Sequence, residues 1–408
     1  MSILAHTADI FHGRGKIHAC LKEQKVWDDM KQRFGHAVPQ LCPPPGYMSS
    51  NPIYNTLPVV CRGLTWSFDG SSLVAVHEDG GIRQYAVSEE QGAVMVPFQR
   101  FFKPQAIISY AVHPQNSIFE AESSMRVVVV SCKDMPYQLY PLYSDPEQPT
   151  RSLQTYNSAS EFTEEFRAAH AMDFLDDWHF LAGSTRNTVS LFDISRRESI
   201  WVSSATQKGC GRAQHRAIIS CFDEANERRD CVRYAGTYRS ELLRIDPRTS
   251  RISSWKAIKD KSRGIYQVLQ SNNGHYFYIM KRYSNSITVL DSRKSMAIVN
   301  EFNLPFEMHA QKLRGTYSAR HGLLIGDQTG HILQWAPEVV EFGGIERDGR
   351  VPGDGIGETG VTDTGIANSR INIIQQNPAD PDILAISYSP DKYDESAHCN
   401  AGIMLMRL

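Results

Sequence analysis

Three observations on the 408-residue chain predict an all-β fold, closed as a single β-propeller of seven blades. One unit of strand, turn, strand, turn and strand recurs seven times; its turns carry Asp-Gly pairs; helical patterning is scarce. A propeller adds blades without enlarging any one core, so a chain this long need not divide into two domains.

Taken in order, residues 1–60 are an atypical lead-in. The charged segment CLKEQKVWDDMKQRF predicts one or two helical turns or part of an outer strand, and PPPGYMSSNPIY forbids regular structure. This is a partly ordered arm that closes onto the propeller of residues 61–408. The unit is clearest at 63–87, where Asp69-Gly70 and Asp79-Gly80-Gly81 supply the positive φ that tight hairpins need. It recurs at 171–198, 217–251, 264–294 and 311–338, and in degenerate form at 107–143 and 371–408. Units start roughly 45–60 residues apart, near the period of WD-type blades, and Phe-Asp-Ile at 192–194 stands where their Trp-Asp falls. The clearest helix candidate is 159–174, an insertion between units. Residues 339–370, rich in Gly, Thr and acidic side chains, read as a mobile surface loop too poor in apolar residues to bury a core.

An apolar fraction of 41% and a charged fraction of 22% are ordinary for a soluble protein, and a net charge of -2 announces no nucleic-acid partner globally. No apolar run approaches the roughly 20 residues that span a bilayer, and the N-terminus lacks the pattern of a secretory signal. The eight cysteines form no C-x-x-C pair, and Cys210, Cys221 and Cys231 are wrongly spaced for zinc. They read as buried free thiols of a reducing compartment.

No hydrolase elbow, phosphate loop, zinc-protease helix or dinucleotide fingerprint occurs. The glycine-rich GDGIG of 353–357 sits among acids that would repel phosphate. Asp193, Asp246 and Asp291 close apolar strands at equivalent places, which marks them as turn-satisfying carboxylates. His170 reads first as a structural histidine and second as a ligand. The expectation is no enzyme, no metal and no cofactor.

Charge is locally uneven. Residues 208–263 hold fourteen Lys and Arg, including Arg212, Arg216, Arg239 and Arg244, interleaved with Phe222, Tyr234, Tyr238 and Trp255. Such a zone suits phosphate and single-stranded base contacts, a solvated salt-bridged surface, or an acidic protein patch.

Several units resemble one WD-repeat branch in particular. Tyr156-Asn157 and Ala168-Ala169-His170 precede a blade with Gly183, Arg186, Thr188-Val189 and Phe192. Then come Gln207-Lys208-Gly209, Ile218-Ile219-Ser220-Cys221 and Gly236-Thr237-Tyr238-Arg239, and the first blade carries Gly63, Trp66, Asp69 and Gly70. These are similar to the family of the telomerase Cajal body protein, most of all to its fungal spliceosome-associated relatives. The resemblance implies a nuclear scaffold that assists pre-mRNA splicing by associating with spliceosomal proteins and small nuclear RNA. It brings Tyr156, Asn157, His170, Tyr238 and Arg239 forward as RNA- or partner-binding residues, and the basic zone adds Arg212, Arg216 and Arg244. Two alternatives stand beside it: a biogenesis or trafficking factor for telomerase or guide RNA, and a cytosolic peptide-binding adaptor. The basic pairs Arg196-Arg197 and Arg228-Arg229 are short for a nuclear-import signal, so import would rest on a partner. A closed ring has no edge that forces dimerisation, so a monomer within a larger complex is expected.

Overall fold

The computed structural model describes residues 2–11, 15–34, 58–87, 92–120, 123–142, 150–159, 165–204, 217–224, 231–258, 264–309, 313–344, 355–366, 368–391 and 401–408. Its strands form seven antiparallel, four-stranded blades in chain order, spanning 61–102, 107–156, 171–204, 219–257, 265–303, 316–363 and 370–407. The seventh takes its fourth strand from the N-terminus, where Ser2–His6 pairs with Gly402–Arg407. Blades 4 and 5 also share a short parallel pairing of their innermost strands, Asp223 with Val268 and Glu224 with Leu269.

The apolar runs are continuous because a middle strand is covered on both sides. In Ser72–His77 all six residues are buried, and alternate side chains serve different neighbours. Leu73 and Ala75 join a cluster with Ile373, Ile383 and Leu405 of blade 7, while Val74 and Val76 join one with Ile107, Val128 and Val130 of blade 2. The same division holds at Phe277 and Ile279 against Tyr278 and Met280. Seven such clusters each straddle two consecutive blades, and the one between blades 7 and 1 closes the ring. Polar bonds cross that last seam too: Trp66 Nε1 donates to the Gln375 carbonyl at 3.1 Å and Ser387 Oγ to the Cys61 carbonyl at 3.2 Å.

Glycine makes three of the seams tight. Gly183 and Gly326 end the second strands of blades 3 and 6, and Gly236 is the last but one residue of that of blade 4; a β-carbon there would meet Ile219, Ile371 and Ile265 of the next blade within 2.5 Å. The third strands of blades 3, 4 and 5 end at Asp193, Asp246 and Asp291. Each carboxylate accepts the amide two residues on, from Ser195 at 2.8 Å, Arg248 at 3.2 Å and Arg293 at 2.9 Å.

Three sequence expectations change. Ala171–Phe174, inside the helix candidate of 159–174, is the innermost strand of blade 3, and Ala159 bridges Phe166. Burial there alternates, with Ala169 and Ala171 inside and His170 and Met172 half-buried, so seam packing outweighs the helix propensity of Ala and Glu. The expected short helical stretch is instead a helix of 20 residues, Gly15–Phe34. It buries the narrow stripe Ala19, Cys20, Glu23 and Trp27, and a buried Glu reads as polar in a sequence. Within 339–370, Gly360–Asp363 is the fourth strand of blade 6, and Val340 is fully buried. An outermost strand needs little apolar content, which hides it. Residues 345–354 and the PPPGYMSSNPIY segment lie outside the described residues.

The helix is held by charge. Glu23 accepts Arg83 Nε at 2.7 Å and also pairs with Arg100, and Asp79 takes the other edge of Arg83 at 2.7 and 3.0 Å. These carboxylates hold the Arg83 guanidinium well above its ordinary range against the opposing effect of burial. His77, stacked on Phe11 at 4.7 Å, is driven down to about 3 by burial and then by Arg83. It is therefore neutral when folded but takes a proton below about 6.5 when unfolded. Its contribution is complete above that pH and declines toward pH 3 by up to about 1.4 kcal/mol per pH unit. Urea unfolding at pH 7.5 and 5 should show a fall about 2 kcal/mol larger for the wild type than for His77→Phe. Equal falls would place the imidazole in water.

Burial also lifts the Cys20 thiol to about 11 and the Cys61 thiol to about 12, leaving both unreactive. Cys132 and Cys221 are buried free thiols as well, whereas Cys231 is exposed.

Candidate functional site

The innermost strands of blades 1, 2, 3, 4 and 7 line a cavity of about 690 Å³, to which blades 5 and 6 add Arg282 and Arg314. Its lining is set by a repeated irregularity. A one-residue bulge interrupts the ladder near the start of five innermost strands, at Arg62, Ile108, Ser220, Tyr266 and Asn372. Bulges re-aim side chains, and Arg62, Ile108, Ser220 and Asn372 all line the channel. Tyr266 turns into the seam instead, donating to the Leu313 carbonyl at 2.9 Å.

Antiparallel blades put the starts of the innermost strands and the turns between second and third strands at one end of the channel. At this mouth stand Arg62, His170, Tyr238, Arg282 and Arg314. Arg282 lies 4.9 Å over the Tyr238 ring and donates to its hydroxyl at 2.9 Å. Arg62, with 57% of its side chain exposed, is 3.5 Å from Glu78. Tyr110 shares a hydrogen bond with Thr65 at 3.1 Å, and burial lifts its phenol to about 12, so it stays neutral. Deeper in the channel the sign reverses. Asp173 lies 3.4 Å from Arg233, Asp223 accepts the Tyr234 amide at 2.7 Å, and Glu224 accepts Gln267 Nε2 at 3.2 Å. The mouth therefore favours an anionic or aromatic group and the interior disfavours a second phosphate.

Of the residues singled out in the sequence, this geometry brings His170 and Tyr238 together at the mouth, with exposed Arg239 in the same turn as Tyr238. Tyr156 is fully buried, its hydroxyl bonded to the Ile194 carbonyl at 2.8 Å, which makes it a seam residue out of reach of a partner. Asn157 sits at the rim, where Nδ2 donates to the Glu198 carboxylate at 3.0 and 3.3 Å. Arg244 is half-buried midway along the third strand of blade 4, opposite Tyr234 and Ser253. Arg212 and Arg216 lie outside the described residues. Sequence reading passed over Arg62, Arg282 and Arg314. The signal was there in phase: Arg62-Gly63 and Arg314-Gly315 occupy equivalent places in blades 1 and 6, where a β-carbon on either glycine would lie within 2.5 Å of a neighbour.

No protein-family model matches the chain. Individual proteins do. It is 82% identical to Protein SWT21 of Eremothecium gossypii over 408 residues, covering 100% of both chains. It belongs to the SWT21 family. Protein SWT21 of Kluyveromyces lactis is 37% identical with 100% of both chains covered, and that of Saccharomyces cerevisiae strain JAY291 is 31% identical over 81% of this chain and 96% of its own. These SWT21 relatives are fungal proteins, on the fungal side of the resemblance drawn from the sequence. The matches to the Eremothecium and Kluyveromyces proteins span the whole of this chain, residues 2–6 and 15–34 included.

Proposed function

We propose that this chain is a nuclear, non-catalytic binding platform that assists pre-mRNA splicing by associating with spliceosomal small nuclear ribonucleoproteins. The observation that carries the RNA part is the Arg282–Tyr238 stack beside Arg62 and Arg314 at the channel mouth. A guanidinium and a phenol ring in contact offer a phosphate partner and a face for an unstacked base. The acids deeper in the channel keep a bound strand at the mouth. Membership of the SWT21 family supports the fungal reading, and the motifs of 151–251 support the splicing one.

The test is to purify the tagged protein from nuclear extract after ultraviolet crosslinking and to sequence the bound RNA. Spliceosomal small nuclear RNAs are expected, and the double variant Arg282→Glu/Arg314→Glu should lower their recovery at least about tenfold and flatten the salt dependence. Telomerase or guide RNAs in their place would turn the reading to RNA biogenesis. No RNA above a control propeller would remove the RNA contact and leave a peptide adaptor. Unchanged recovery by the double variant would move the contact away from the channel.

A further inference from the structure

The end of the propeller opposite the channel mouth carries a second surface. There the turns joining first and second strands of blades 1, 2 and 3 present Phe68, Phe119 and Trp178, which are 52%, 79% and 54% exposed. Large aromatic side chains this open, on three consecutive blades, have no seam to fill. The corresponding turns of blades 5, 6 and 7, at 271–275, 319–321 and 377–382, hold no Phe, Tyr or Trp.

The three turns are tied into one ridge. The Phe68 amide donates to the Asn116 carbonyl at 3.1 Å, Ser117 Oγ bonds to Asp69, and His113 Nε2 bonds to the Asp177 carbonyl at 2.9 Å. Phe119 is pinned through its own amide to Ser117 Oγ at 3.0 Å. In the blade 3 turn, the Trp178 and His179 amides each donate to Asp176 at 2.8 Å. The rings thus stand on fixed backbone, and little entropy is lost when a partner settles on them.

The turns themselves are acidic: residues 67–71, 113–120 and 175–178 contain Asp69, Glu120, Asp176 and Asp177 and no Lys or Arg. Beside the blade 3 turn, buried Arg233 reaches the Leu175 carbonyl at 3.4 Å and is paired with Asp173, and exposed Arg196 is paired with Asp193 at 3.5 Å. Burial works against the charge of Asp69 and Asp176, but their hydrogen bonds hold both carboxyls below the usual range, so they stay ionised at neutral pH. Exposed rings flanked by carboxylates repel phosphate and attract cations that can lie flat on a π face. The arginine guanidinium does both.

We infer that Phe68, Phe119 and Trp178 form a docking surface for an extended, arginine-rich peptide segment of a partner protein. Arginines spaced along such a segment stack on successive rings while the carboxylates fix their charge. The surface is separate from the channel mouth, so an RNA held there and a basic protein tail held here can be carried at once.

The probe is a fluorescein-labelled twelve-residue peptide of alternating Arg and Gly, titrated into the full chain and followed by anisotropy. Saturable binding is expected that weakens with salt, is stronger than for the Lys-Gly peptide, and is absent for the Glu-Gly peptide. The triple variant Phe68→Ala/Phe119→Ala/Trp178→Ala should bind at least about tenfold more weakly, each exposed cation–π contact accounting for roughly two- to fivefold. Its urea midpoint should fall only modestly, because half or more of each side chain already faces water. Should the triple variant misfold, Glu120→Gln/Asp177→Asn should weaken binding and flatten its salt dependence. Because the channel also holds acids, Glu224→Gln is the control and should bind like the wild type. Loss of binding in that control with none in the triple variant, equal affinity for the Arg and Lys peptides, or no saturable binding would each overturn the proposal. None of these results depends on whether RNA binds at the mouth.

Discussion

Glu23→Ala should lower the unfolding free energy by about 3–5 kcal/mol, although Glu23 is a single polar residue on a helix outside every blade. It is completely buried and its carboxylate serves both Arg83 and Arg100, which are themselves enclosed. Taking it away removes one of the two carboxylates on Arg83 and the Glu23 contact of Arg100, in a place that water does not reach. Removal of one member of a buried ion cluster is far more costly than loss of a surface pair, because the remaining charge stays desolvated. Glu23→Gln, which keeps an acceptor but no charge, should fall between. Lys25→Ala, on the exposed face of the same helix, should lie within about 0.5 kcal/mol of the wild type. The check is urea unfolding at neutral pH. Coincident midpoints for Glu23→Ala and Lys25→Ala would mean that the helix does not dock on blade 1 through this cluster.

Deleting residues 2–6 should do more. That strand is the fourth of blade 7, pairing Ser2 with Arg407, Ile3 with Met406, Ala5 with Leu405 and His6 with Met404. Leu4 and Ala5 are buried in the seam between blades 7 and 1. Losing Leu4 alone corresponds to about 2–5 kcal/mol, and loss of the strand also leaves Gly402–Arg407 as an open, apolar edge. The shortened chain should elute as aggregate or unfold without a cooperative transition. A synthetic peptide of residues 1–34 should restore a monomeric peak when added in trans. A deletion that unfolds at the wild-type midpoint would show that the ring closes without this strand.

The blades were legible because each middle strand is covered on both faces. That requirement forces uninterrupted runs such as SLVAVH at 72–77 and YFYIMK at 276–281, bounded by Gly and Asp turns, and such runs are visible without a structure. The turn carboxylates Asp193, Asp246 and Asp291 were legible for a similar reason, since each bonds to an amide two residues away. Local chemistry leaves local traces. The strand Gly360–Asp363 left none, because an outermost strand with alternate residues in water needs no apolar run. The helix misreading at 159–174 arose where Ala169 and Phe174 face the seam with blade 2 and Ala171 the seam with blade 4.

By itself, then, the sequence determined the all-β class, the repeat, the number of blades and the places of the turns, since these follow from side-chain patterns over a few residues. The tertiary structure alone decided which residues share a surface. Arg62, Tyr238, Arg282 and Arg314 meet at one mouth although up to 252 positions separate them (62 to 314), and Phe68, Phe119 and Trp178 line up at the other end. It also moved Tyr156 from a candidate contact to a buried seam, and it made Glu23, in a segment legible only as charged, a buried tie. The physical reason is the same in each case: burial and proximity depend on ring closure, which joins blade 7 to blade 1 through contacts more than 300 residues apart, such as Trp66 with Gln375 and Ser387 with Cys61. No window of sequence contains that distance.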